Sequence, residues 1–188
     1  MTGIGSGAFA AATRQDASLS AAAPREDFLN ALRKVPEPVT VVATDGPAGP
    51  GAVTVTAFSS VCADPPTIVI CLQSQGSAAS AVIDNGRFTV NFLSEADRTL
   101  AEICAGHGNN DHAARLADPG WNLGSDDLPF WGEALAHLTC QLIEAVEIGT
   151  HRVLVARVTA ATVGPTEAAL IYQSRSYYRM GRKIGDKF

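Results

Sequence analysis

The pattern of apolar and polar positions changes character along the chain, and each change marks an element. Through residues 1–23 Gly, Ala, Ser and Thr dominate, and the larger apolar side chains beyond Met1 are Ile4, Phe9 and Leu19. Such a stretch can bury little, so it is expected to be a mobile tail, with 24–188 as the folded domain. Phe28, Leu32 and Val35 then recur at helical spacing, with Pro24 at the entrance, Glu26 and Asp27 ahead of Arg33 and Lys34, and Pro36 as a stop; this predicts a helix. From Val39 the pattern becomes β. Val39–Thr44 and Ala52–Ala57 flank the breaker cluster Asp45–Gly51, and the continuous apolar run Thr67–Leu72 predicts a strand buried on both faces.

Beyond Leu72, Ser77–Asp84 reads as a short helix ending at Asn85-Gly86, and Phe88–Leu93 as a strand. Ser94 is placed to cap a helix carrying Leu100, Ile103 and Cys104. Residues 105–132, rich in Gly, Asn, Asp and Pro around Trp121, Phe130 and Trp131, read as a long surface loop. Three further strands are expected within 136–148, 151–163 and 169–172. Many strands and few helices predict a mainly β fold: a closed antiparallel barrel with peripheral helices.

Composition narrows the function classes. With 188 residues, 46% hydrophobic and 18% charged, the chain suits one globular domain. A net charge of −5 opposes nucleic-acid binding, and the C-terminal cluster Arg175, Arg179, Arg182, Lys183 and Lys187 is too short to reverse this. No apolar run is long enough for a membrane span, so neither membrane insertion nor export is expected. Cys62, Cys71, Cys104 and Cys140 form no paired motif, which predicts free thiols in the cytoplasm.

Several catalytic signatures fail on context. Gly3-Ile4-Gly5-Ser6-Gly7-Ala8 matches a dinucleotide fingerprint but has no room for the strand that must precede it. No nucleophile elbow or paired-histidine zinc motif occurs. His107 and His112, five apart, do not share a helix face, and a solvated polar loop is preferred to a metal site.

More informative are Val53–Val61 and Ile70–Ser77, strand ends rich in small hydroxyl residues. They can bring N–H and O–H groups to a flat polar ring, and Ser77 as a cap would leave a helix N-terminus open to phosphate. An ordinary β core with a routine cap fits the same pattern, and the pattern alone leaves both readings open.

The ordered succession Pro38–Thr44, Gly51–Val61, Asp64-Pro65-Pro66, Phe88–Leu93, Gly149-Thr150-His151, Leu170-Ile171-Tyr172 and Arg175–Tyr178 resembles the short-chain flavin reductase family, over about residues 25–180. These are the reductase components of two-component flavin-dependent monooxygenases. The resemblance implies a six-stranded Greek-key FMN-binding split β-barrel, a homodimer, and NAD(P)H-dependent reduction of free FMN or FAD for a partner monooxygenase; no Arg pair in the sequence is clearly placed for a ribose 2′-phosphate, which favours NADH over NADPH. It implies that Thr54, Thr56, Ala57, Ser59 and Ser60 contact the flavin ring, and that Cys71, Gln73, Ser77 and Ala78 lie near the ribityl chain and phosphate. Asn91 would lie at the flavin edge, His151 beside the nicotinamide as the catalytic position, and Tyr172 and Tyr178 in the cleft wall.

Two departures stand out. Thr150 replaces the Asp common before the family's histidine, and Gln73–Ser77 offers the phosphate no positive charge, which suits a flavin used as a substrate. The alternatives are a non-catalytic flavin-binding barrel and a pyridoxamine-phosphate-oxidase-like enzyme, whose substrate phosphate would have only Arg87 and Arg98 in mid-chain.

Overall fold

The computed structural model describes residues 21–107, 111–165 and 167–181, so most of the expected N-terminal tail, along with Arg182, Lys183 and Lys187, lies outside the described residues. The chain separates into two units, 1–32 and 33–188. In the first, α1 (Arg25–Leu32) opens with Glu26 and Asp27 in its first turn, where unpaired amides favour negative charge. It buries none of its residues.

The second unit runs β1 (Glu37–Pro38), β2 (Thr40–Thr44), β3 (Gly51–Val55), β4 (Phe58–Ala63), β5 (Pro66–Gln73), α2 (Ser77–Asn85) and β6 (Arg87–Phe92). A short 3-10 turn (Glu95–Asp97) leads into α3 (Arg98–Cys104), followed by α4 (His112–Arg115), β7 (Trp121–Leu123) and β8 (Pro129–Trp131). The long hairpin β9 (Ala136–Ile148) and β10 (His151–Val163) comes next, then β11 (Leu170–Gln173) and β12 (Ser176–Arg179).

The principal sheet has the order β3-β2-β6-β9-β10-β5-β4, with every neighbouring pair antiparallel. Its two edge strands, β3 and β4, are consecutive in the chain and separated only by Thr56 and Ala57. Seven strands laid flat would hold their edges roughly 29 Å apart, a span far beyond two connecting residues. The sheet is therefore curled enough to bring the end of β3 beside the start of β4, and no ladder between β3 and β4 closes it among the described residues.

The sheet has seven strands where six were expected. The strand expected over Ala52–Ala57 ends at Val55 as β3, and β4 begins at Phe58, so the hydroxyl-rich run 53–61 contributes to both edges. Two smaller sheets, β1-β11-β12 and β7-β8, complete the unit. The stretch expected as a loop contains the β7–β8 hairpin, where Trp121 and Trp131 meet edge to face at 5.6 Å.

Strand β2 is buried along its whole length because its alternating faces serve different cores. Val42 joins Ile70, Leu72, Val82, Phe88, Val90 and Leu154 inside the roll. Val39 and Val41 pack with Leu93, Leu100 and Leu170 on the other side, against Tyr172 and Tyr177. In β5 burial alternates rather than covering both faces: Ile68, Ile70 and Leu72 are buried, while Val69 and Cys71 are half-buried.

Candidate functional site

Where β3 passes into β4, the ends of β3 and β5 flank a cleft of about 350 Å³ lined by Thr54, Thr56, Ala57, Cys71, Gln73, Gly76, Ala78, Ala79, Ala105 and His151, among others. The Ala57 carbonyl accepts from the Cys71 amide at 3.1 Å, linking the Thr56–Ala57 joint to β5. The Thr54 hydroxyl donates to the Ala101 carbonyl at 2.6 Å and so ties β3 to α3. Small side chains at 57, 78, 79 and 105 leave room for a planar occupant.

The floor passes into α2 through a tight turn in which the Gly76 amide donates to the Gln73 carbonyl at 3.1 Å. Gly76 is the N-cap, so Ser77 is the first helical residue and not the cap expected from sequence. Between Gln73 and Gly76, the Ser74 hydroxyl oxygen is buried without a hydrogen-bond partner. Such a group is costly unless something satisfies it, and it lies in the turn between the lining residues Gln73 and Gly76.

His151 enters the same wall as the register partner of Gln73, held there by the Ser74 amide donating to the Thr150 carbonyl at 2.9 Å. The Thr150 hydroxyl lies 2.9 Å from His151 Nδ1. Threonine thus does the orienting for which a carboxylate was missed, and it leaves Nε2 as the nitrogen outside that contact. Among the described residues no Lys, Arg, Asp or Glu lines this cleft.

A second cleft of about 470 Å³ shares Thr54, Thr56 and Ala105 with the first and adds Val39, Arg98, Glu102, His107, Tyr172, Arg175, Ser176 and Tyr177. Tyr172 walls this space. Tyr178, exposed on β12, lines neither cleft; strand alternation gives the inward position to Tyr177, whose ring meets Tyr172 at 5.2 Å. Ser59 is exposed on β4 and bonds its neighbour's carbonyl. Ser60 lines a separate groove with Val61, Cys62, Ile68, Leu138 and Val158.

Asn91 is not at the cleft. It is fully buried, donating to the Val41 carbonyl and the Thr89 hydroxyl at 3.0 Å each and accepting from the Trp131 amide at 2.9 Å. It joins β2 and β6 to β8.

Sequence reasoning missed the support behind the floor. Asp111 caps α4 through the Ala113 amide at 2.9 Å, so His112 and Arg115, three apart, share a face. His112 Nε2 lies 2.7 Å from the Ser77 hydroxyl, and its Nδ1 is 3.2 Å from the Ala52 carbonyl, which also accepts from buried Arg115 at 2.8 Å. Burial first, and Arg115 second, push the His112 pKa below its ordinary value. The Asp-His-x-x-Arg spacing was the available signal.

Comparison with known proteins decides the family. The model of the flavin reductase like domain matches residues 32–181. The chain belongs to that family. As a member, it is 34% identical over 166 residues to an FMN reductase (NADH), RutF, of Ancylobacter novellus, covering 88% of this chain and 91% of that protein. It is 35% identical over 158 residues to the 4-hydroxyphenylacetate 3-monooxygenase reductase component of Pseudomonas aeruginosa, covering 84% and 93%. Among solved structures, BorF, the flavin reductase component of a bacterial two-component tryptophan halogenase, superposes with TM-score 0.77 at 26% identity, covering 85% of this chain and all of that one.

Proposed function

We propose that this member of the flavin reductase like family is an NAD(P)H:flavin oxidoreductase that reduces free FMN or FAD, with NADH the favoured donor, and supplies reduced flavin to a partner monooxygenase. The observation that carries this is the meeting of Thr54–Ala57, Cys71–Gln73 and His151 around one uncharged cleft of small residues. The non-catalytic alternative gives no reason for an oriented histidine on that wall. The phosphate-oxidase alternative wants cations there, and the lining has none.

Hydride passes from the nicotinamide to the flavin, so the bond-making chemistry is supplied by the two cofactors. What the chain supplies is position. Thr56, Ala57 and Cys71 form a bed for the flavin ring, and Ser74 and Gln73 lie toward its polar side chain. Ser77 borders the phosphate end, kept in place by neutral His112. His151, braced by Thr150, orients the donor ring, a task that lowers the barrier by fixing distance and angle.

The rolled seven-stranded sheet is our reading of a split barrel. Exposed Val61, Ile143, Val146, Ile148 and Val163 on its strands support a homodimer, since symmetric pairing would cover them. A single species of 19.6 kDa in sedimentation at micromolar concentration would exclude it. Four unpaired thiols favour a cytoplasmic protein; among the described residues no helix is long and apolar enough to cross a membrane.

The test is to mix the purified protein with NADH or NADPH and FMN or FAD and follow the nicotinamide absorbance. Flavin-dependent oxidation of the nicotinamide is expected; flavin binding without oxidation would leave only the non-catalytic reading.

A further inference from the structure

Ser77 sits between two lining residues of the His151 cleft, Gly76 and Ala78, but its hydroxyl is already engaged. It lies 2.7 Å from His112 Nε2, and His112 Nδ1 lies 3.2 Å from the Ala52 carbonyl on β3. Hydrogen bonds given by O–H centre on about 2.7–2.8 Å and those given by N–H on about 2.9–3.0 Å. The two distances therefore fit one proton pattern: Nδ1–H donates to Ala52, and Ser77 donates to Nε2. The Ala52 amide and Arg115 Nη1, both 3.4 Å from Nδ1, are the longer contacts. In this state Ser77 turns only lone pairs outward, and a phosphate beside it would meet a hydroxyl with no proton to give.

A proton taken from solution onto Nε2 reverses this. The imidazolium donates to the Ser77 oxygen, whose own proton is freed to point outward, while Nδ1–H keeps the Ala52 carbonyl. Burial of the ring opposes the gain first, and the Arg115 guanidinium on the same helix second; the Ala52 carbonyl and then Asp111, the cap of α4, favour it. No charged group of α2, β3 or α3 acts on the ring among the described residues. On α3 the Cys104 thiol, whose carbonyl lies 3.4 Å from Arg115, is kept neutral by burial, its pKa pushed up to about 12.

An anion beside Ser77 tips the balance. A doubly charged phosphate favours an imidazolium over a neutral ring and accepts the outward-turned Ser77 proton. We propose that His112 is a proton-linked positioning residue that selects phosphorylated flavin: binding of FMN draws a proton onto its Nε2, and Ser77 is thereby turned from a lone-pair surface into a phosphate donor. The placing of the flavin phosphate at Ser77 rests on the reductase reading. A cleft lined by no cation among the described residues thus gains one behind its floor when the phosphate arrives.

Calorimetry in buffers of different ionisation enthalpy counts the protons exchanged when FMN binds at about pH 7. Net uptake is expected with FMN in the wild type, and none with riboflavin, which has the same ring and ribityl chain without the phosphate. A phosphate site without this switch gives the opposite sign, because donors that hold the dianion lower the phosphate's own second pKa of about 6 and release protons. By linkage, the affinity for FMN relative to riboflavin should rise about two-fold or more from about pH 8 to pH 7. His112→Gln, which keeps a side-chain amide near Ser77, should abolish both the uptake and the pH dependence, and Ser77→Ala should lose most of the uptake; circular dichroism checks the fold. A merely structural role for His112 would weaken FMN and riboflavin alike and leave the proton count unmoved. Release or no exchange with FMN, equal uptake with riboflavin, or uptake undiminished in either variant overturns the proposal. The count is taken from binding without NADH, so failure of the reductase reading shows separately, as no NADH oxidation with FMN in the wild type.

Discussion

Replacing Asn91 by Ala separates a scaffold amide from a flavin contact. In the native protein its side chain makes two donated bonds and one accepted bond, all within the core. Removal takes the acceptor from the half-buried Trp131 amide, at about 1–3 kcal/mol, and forfeits two donated bonds at about 0.5–1.5 kcal/mol each. The Thr89 hydroxyl keeps its bond to the Pro129 carbonyl at 2.6 Å, so its own loss is at the lower end. The expected destabilisation is about 3 kcal/mol, a fall in Tm on the order of 10 °C for a domain of this size. Urea unfolding gives the stability, and flavin fluorescence quenching at a temperature where the variant is folded gives the affinity. A variant with an unchanged urea midpoint and a much weaker flavin complex would refute the scaffold role.

His151→Ala is expected to raise KM for NADH and lower kcat, reducing kcat/KM about ten-fold or more, with flavin affinity nearly unchanged; steady-state kinetics against both substrates checks this, and a flavin defect with normal NADH dependence would contradict it. Ala57→Trp should place an indole in the ring cleft and abolish flavin binding while circular dichroism stays native. Acid should destabilise the protein through His112 and His137, whose pKa values lie below the ordinary 6.5 chiefly because of burial. Their unfolded forms take up protons first, so the stability they confer is present above about pH 6.5 and is lost as pH falls below it; Tm measured from pH 7.5 to 5 should fall less for His112→Gln than for the wild type.

Local pattern was enough to find β2, α2 and β6, because Val-rich runs bounded by Asp45–Gly51 and Asn85-Gly86 leave few other structures. The family resemblance, not the pattern, singled out Thr54, Thr56, Ala57, Cys71, Gln73 and His151, which the fold gathers at one cleft. Depth was not legible: an asparagine on a strand looks alike whether it faces a ligand or, as Asn91 does, a neighbouring hairpin. Tyr177 and Tyr178 could be told apart only by the phase of β12, which depends on its pairing with β11. The strand expected over Ala52–Ala57 ends close to the break at Thr56–Ala57, but β4 (Phe58–Ala63) was not expected as a strand of its own, because Ser59 and Ser60 give its run little apolar alternation.

That two-residue joint acts as a tether of fixed length. Once β5 is in register with β10, and β2 with β6 and β3, the joint allows the edges only one separation, and the width of the cleft follows from it. At that end the two edge strands face the cleft, with Thr56 and Ala57 in its lining, while the rest of β4 stays exposed. Chain length at residues 56–57 thus sets a limit on the aperture, and an insertion between these two lining residues would widen the gap.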